Sequence, residues 1–174
     1  PNVGHTCLWD VAGAYSTTTG YSYYVVGSGG KSWYKSYGSD ALGMPQQMSG
    51  ASGEILRSIV RKGNGDVYFT AGAGATMRTY SNGSSLSESR IVPFTMNGVY
   101  FSNASEGVVV GERSMIRYTL DGGAHWRILK LAPGELRTQR NLLSAASDGD
   151  GVGVVGGDLN KLWRFQLQQG TYSN

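Results

Sequence analysis

Short apolar runs, each bounded by Gly, Ser, Asn or Asp, follow one another along this chain in a fixed order. The runs Cys7 to Val11, Ile55 to Val60, Val99 to Phe101 and Leu142 to Ala146 each precede a second run that ends in a glycine. Those glycines are Gly27, Gly72, Gly111 and Gly157, and an aromatic or aliphatic third run follows each of them. Alternation of apolar and polar positions is only partial, as expected of strands whose sheets are covered on both faces. No segment carries a sustained 3.6-residue apolar period, and the charge-rich stretch Pro133 to Leu143 reads as a loop with one helical turn. The pattern predicts short β-strands in a repeating set of A, B, C and D.

The repeat has a measurable period. The anchor glycines are 45, 39 and 46 residues apart, close to the roughly 40 to 50 residues of a four-stranded unit in a radial array. The third copy is the most complete, reading Gly107-Val-Val-Val-Gly-Glu-Arg-Ser-Met-Ile-Arg-Tyr-Thr-Leu-Asp-Gly-Gly-Ala-His-Trp126. Its Thr119, Asp121, Gly123 and Trp126 fit the spacing S/T-x-D-x-G-x-x-W, which resembles the Asp-box of β-propeller proteins. The physical content of that spacing is local. A carboxylate and a hydroxyl fold back onto backbone N–H groups, glycine supplies a positive φ, and Trp leaves the turn into packed layers. The second copy, with Thr79, Ser81, Gly83 and Leu86, is expected to keep the turn and lose the carboxylate.

The expected fold is therefore all-β, a β-propeller with four Asp-box-type blades at about 5–48, 54–95, 97–132 and 138–174. The last unit has only Gln169 to Asn174 for a fourth strand, and the first has no spare strand ahead of it. A four-unit segment of a larger ring is expected ahead of a closed four-bladed ring.

Composition narrows the chemistry. The 174 residues suffice for one domain, and 27 Gly with 11 Tyr and 4 Pro fit a turn-rich all-β chain. The net charge of +3 is scattered, with no basic stripe interleaved with aromatics, so no nucleic-acid partner is expected. No apolar run approaches a membrane span. The single Cys7 forbids an internal disulfide and is expected to be a small buried residue of the first strand. Pro1 to Thr6 does not resemble a signal peptide, so any such segment is expected to be removed or upstream. Asn82 and Asn103 head N-x-S sequons, and an extracellular or organelle-lumen location is favoured.

The stretch Val110, Gly111, Ile116, Arg117, Thr119, Asp121, Gly122, Gly123, Trp126 resembles the repeat of the Ycf48-like photosystem II assembly factors. It departs from that repeat at Ser114, where glycine is usual, and at Tyr118, where threonine is usual. The resemblance implies a propeller that binds a protein partner, in which arginines at the third-strand position contribute to a basic patch. Arg78 and Arg117 occupy that position, and Arg164 is expected to extend the row. Sialidases, sortilin-type receptors and xyloglucan hydrolases are also similar in carrying Asp-boxes, and in none of them is the box catalytic.

Other constellations fail on their own chemistry. Arg90-Ile91-Val92-Pro93 resembles a sialidase motif in part, but that reaction needs three arginines, a tyrosine with an acidic partner and an aspartic acid in one funnel. His5, Cys7 and His125 lack a third ligand or base at metal or nucleophile spacing. Asp148-Gly149-Asp150-Gly151 lacks the remaining oxygen ligands of a calcium loop and reads as a hairpin turn. Gly72-Ala73-Gly74 has no helix after it, so it is not a dinucleotide fingerprint. The sequence thus points to a non-enzymatic protein-binding or assembly scaffold with no cofactor and no metal, whose partners are a protein or further blades. A glycan-binding or glycosidase-related propeller is the alternative.

Overall fold

The computed structural model describes residues 7–16, 20–35, 46–47, 55–61, 67–72, 76–81, 84–90, 94–129, 140–148, 150–158 and 161–167. These residues form four separate antiparallel sheets, each a simple meander. The first holds β1 (Leu8–Ser16), β2 (Gly20–Gly27), β3 (Lys31–Lys35) and β4 (Gln46–Gln47). The second holds β5 (Leu56–Arg61), β6 (Val67–Gly72), β7 (Thr76–Ser81) and β8 (Ser84–Arg90). The third comprises β9 (Met96–Phe101), β10 (Gly107–Gly111), β11 (Ile116–Thr119) and β12 (Arg127–Ile128). The last has three strands, β13 (Leu142–Ser147), β14 (Val152–Gly157) and β15 (Lys161–Gln166). His5, Gly83, Gln169 to Asn174 and residues 133–139 of the loop expected over Pro133 to Leu143 lie outside the described residues, and that expectation is corrected at its end, where Leu142 and Leu143 open β13.

The sheets meet through their first strands: β1 packs on β5, β5 on β9 and β9 on β13. Second strands make lesser contacts across the junctions, which places the first strands innermost and the later strands progressively outward. Between sheets lie three apolar layers. Ala12, Val26, Leu56 and Ile59 join the first to the second. Met96, Val99, Phe101, Val109 and Met115 take Val60 from the second sheet against the third. Val108, Val110 and Ile116 meet Leu142, Val155 and Phe165 between the third and fourth.

The four anchor glycines end β2, β6, β10 and β14 for one shared reason. A Cβ on Gly27, Gly72, Gly111 or Gly157 would run into the carbonyl oxygen of Cys7, Ile55, Thr95 or Asn141 respectively. Those carbonyls belong to the residues just ahead of the first strands or of their described starts, and three of them accept a hydrogen bond from the residue after the glycine. Ser28, Glu112 and Asp158 donate to Cys7, Thr95 and Asn141, each at 3.0 Å. Close backbone approach, not a positive φ, requires glycine here.

A second repeated feature accompanies the glycine. Opposite each anchor the first strand carries a β-bulge, with the register shifting between Leu8 and Asp10, between Leu56 and Ser58, and between Leu142 and Ser144. In β9 the shift falls between the partners of Val110 and Gly111, which are Gly98 and Met96. The inserted residues are therefore Trp9, Arg57, Asn97 and Leu143, at equivalent places in four neighbouring strands.

One expectation about burial is corrected. Cys7 is a free, exposed cysteine preceding β1, and it is its carbonyl that is used, against Gly27 and Ser28.

Candidate interaction surfaces

The turn after β11 is built by two side chains. Thr119 is buried, and its Oγ1 donates to Asp121 Oδ1 at 2.8 Å while accepting from the N–H groups of Asp121 at 3.3 Å and Gly123 at 2.8 Å. Asp121 Oδ1 also accepts from the His125 N–H at 2.9 Å, and Oδ2 lies 2.7 Å from His125 Nδ1. The His125 backbone bond, reinforced by Thr119 and the imidazole, holds the Asp121 carboxyl far below the usual carboxylate range. Gly122 and Gly123 take φ of 70° and 92°, which closes the turn. Trp126 then packs on the Met96, Val99 and Phe101 layer, its ring edge-on to Phe101 at 6.0 Å.

The second copy uses a different connection. Ser81 pairs with Ser84, so β7 and β8 run into one another across two residues instead of leaving an open turn. The Thr79, Ser81, Gly83 and Leu86 spacing therefore does not carry an open turn like that of the third copy, and Gly83 itself lies outside the described residues. Asn82 lies outside the described residues; Asn103 is exposed, with its Oδ1 accepting from the N–H groups of Ser105 and Glu106 at 2.8 Å.

The register sorts the three arginines. Arg78 pairs with Thr70 and Arg117 with Val109, each two positions before the anchor glycine. Arg164 pairs with Val154, three positions before Gly157, and Trp163 takes the place equivalent to Arg117. With a side-chain period of two, Arg164 stands on the opposite face of its sheet and does not extend the row.

Other polar groups serve turns. Asp148 Oδ1 accepts from the Asp150 and Val152 N–H groups at 2.9 and 3.2 Å, a hairpin staple. Asp158 Oδ2 accepts from the Asn141 N–H at 3.1 Å. Glu106 has a buried carboxylate oxygen without a partner, and burial, then the Asp148 charge, push its carboxyl up from the usual range. Among the described residues no three His, Cys, Asp or Glu side chains are placed to hold a metal ion. None of the described helical segments is long and apolar enough to cross a membrane.

Sequence reasoning missed the groove where the first strands meet. Trp9, Arg57, Asn97 and Leu143, the bulge residues, all line one cavity of about 390 Å³. Their one sequence signal is position, immediately after the start of each first strand, since their chemistry shares nothing.

Comparison with solved structures decides the architecture. YCF48 bound to D1 peptide superposes with a TM-score of 0.71 at 14% identity, over 91% of this chain and 50% of that one. The WD40 β-propeller domain of Doa1 gives 0.74 at 12% identity, over 96% and 53%. The fold is that of a β-propeller. YCF48 from Cyanidioschyzon merolae is similar at 0.66 and 17% identity, over 94% and 51%, so this chain spans about half the length of the propellers it matches. No protein-family model matches the chain, and no curated protein matches it in sequence. At these identities the likeness establishes the fold, and the four sheets are propeller blades in kind.

Proposed function

We propose that this chain is a non-enzymatic, protein-binding assembly scaffold of the Asp-box propeller type, a four-blade segment of a larger ring with blades at about 5–48, 54–95, 97–132 and 138–174. One observation carries the reading. Val154 is 42% exposed where the equivalent Val108 in the preceding blade is 1% exposed, so the outer face of the last sheet is an interblade surface without its blade. The first sheet presents the mirror case, with Val11, Tyr15, Tyr21 and Tyr23 exposed. Contiguous apolar area of this kind marks an interaction site, and its partner is a further blade or another protein. The related fold of YCF48, solved with a peptide, supports peptide or protein binding.

Thr119, Asp121, Gly123 and Trp126 act in this reading as structure, while Arg117, at the register position it shares with Arg78, offers one cation and Arg164 a separate one on the strand paired with Val154. The carboxylates Asp121, Asp148 and Asp158 are engaged by backbone N–H groups, which suits turns better than acid–base chemistry. Exposed Tyr15, Tyr21 and Tyr23 also suit the stacking of a sugar ring, which keeps glycan binding as the second reading. A photo-reactive residue placed at Arg117, and separately at Val154, tests the proposal in an extract of the source cells. A defined protein adduct is expected from at least one position. Adducts with glycans alone, or none from either position, contradict it.

A further inference from the structure

We propose that the groove across the four first strands binds an extended peptide through one of its carboxylates, with Arg57 receiving the charge. The inference rests on the protein-binding reading and names the chemistry of the partner. Repetition supplies the geometry: four equivalent bulges turn Trp9, Arg57, Asn97 and Leu143 toward one cavity, in the order aromatic, cation, amide, aliphatic. Bulges re-aim side chains in this way next to binding sites.

Arg57 is the unexplained group in that row. Its Nε is buried without a hydrogen-bond partner, and among the described residues it makes no ion pair. That atom is out of reach of solvent, whereas Arg57 as a whole lines the cavity and is open there to a ligand acceptor. The guanidinium lies over the Trp9 ring, 5.4 Å from its centroid, which holds the planar fork in place. Asp10, on the same wall, is hydrogen-bonded elsewhere and, among the described residues, forms no ion pair with it. Its Oδ2 already accepts from Ser58 Oγ at 2.9 Å and the Ile59 N–H at 3.0 Å, and its Oδ1 from the Val11 N–H at 2.8 Å. A carboxylate from outside matches the fork bidentately. Asn97 donates through Nδ2 to the Leu142 carbonyl at 2.9 Å, leaving its own amide oxygen to accept a peptide N–H. Trp9 and Leu143, both about half exposed, offer apolar contacts at the two ends. The favoured ligand is an acidic residue flanked on both sides by apolar ones.

Proton–nitrogen NMR of the Arg57 Nε–H and the Trp9 indole N–H reads occupancy directly. The probes are acetyl-Leu-Glu-Ala-Leu-amide, its Gln counterpart, and acetyl-Leu-Ala-Leu with a free carboxyl terminus. The Glu peptide is expected to shift both resonances and to bind about tenfold more tightly than the Gln peptide, the scale of one charge-assisted hydrogen bond. Response to the free-terminus peptide alone supports the same site with a chain terminus as the source. Arg57→Gln should abolish the Trp9 response and Arg117→Gln should preserve it. Leu143→Asp, at an exposed position, should weaken the Glu peptide by repulsion while leaving the fold intact. Equal affinity for the Glu and Gln peptides together with no response to the free terminus overturns the proposal, as does an Arg57→Gln protein that still responds. Because photo-trapping at Arg117 or Val154 reads partner binding away from the groove, an empty groove beside a trapped partner sinks this inference alone.

Discussion

The third and fourth sheets are built alike and covered differently. Aligned on Gly111 and Gly157, they share the glycine against a carbonyl, the bulge opposite it and a buried valine, Val109 or Val155. On the other face they part company: Val108 and Ile116 are 1% and 2% exposed, while their equivalents Val154 and Leu162 are 42% and 76% exposed. The strand sequence therefore makes a blade, and only the next blade makes it a core. Stability in such an array is a property of junctions as much as of units.

The sharpest way to break this comparison is to place a charge at the equivalent sites. Val108→Asp, in the covered junction, should cost more than about 4 kcal/mol and leave little folded protein, because an unpaired carboxylate would be buried. Val154→Asp should change folding stability by no more than about 0.5 kcal/mol, as surface changes do, and should reduce association of the chain. Urea denaturation of the two variants gives both numbers. If both unfold the protein, the last sheet is covered and the comparison is void.

The shared part of the two sheets is tested next. Gly111→Ala and Gly157→Ala should each cost about 1–3 kcal/mol, since in both the new methyl meets backbone that has no flexible end to move. A neutral Gly157→Ala would show that the terminal blade is not closed like the interior one.

The turn of the third sheet provides a smaller effect. Thr119→Ala should cost about 2 kcal/mol, because it leaves N–H groups at a buried site unpaired. Asp121→Ala should cost about 1 kcal/mol, less than a buried carboxylate would, since Asp121 is 43% exposed. Its carboxyl is held below the usual value, so the unfolded chain binds its proton first on acidification. The contribution of Asp121 is thus complete above about pH 5 and fades as pH falls through and below the normal carboxylate range. Melting temperatures of the parent and of Asp121→Ala should draw closer from pH 7 to pH 3 without meeting, the remaining difference being lost only at lower pH.

The smallest predicted effect has the opposite sign. Glu106 is raised by burial and by Asp148, so the folded state holds its proton more tightly than the unfolded chain, and stability falls as pH rises through its titration. Glu106→Gln should melt higher than the parent at pH 7 and level with it at pH 4. A lower melting point at pH 7 would show that the hydrogen bonds from Gly151 and Asn103 to the carboxylate outweigh burial and the Asp148 charge.

Features that depend on backbone contact were legible in the sequence. The anchor glycines stood out because no other residue fits against the carbonyls of Cys7, Thr95 and Asn141, so their spacing reported the blade period. The Thr119 and Asp121 turn was readable for a similar reason, its hydrogen bonds being local in sequence. What escaped depends on register or on neighbours. Arg164 looks like Arg117 by order along the chain but sits one position off, and a period of two reverses its face. Cys7 is apolar in a run of apolar residues, yet the strand starts after it. The groove at Trp9, Arg57, Asn97 and Leu143 has no composition to recognise, because four bulges fix where these side chains go and leave their chemistry free.

Whether the open faces of the first and last sheets are unfilled junctions is settled most directly by sedimentation of this chain across a hundredfold dilution, with melting temperatures taken at the same concentrations. Association that strengthens with concentration, carrying the melting temperature upward as mass action requires, is the predicted result. A compact monomer at every concentration with an unchanged melting temperature would mean that the four sheets are complete by themselves, and the scaffold reading built on their exposed faces would fall.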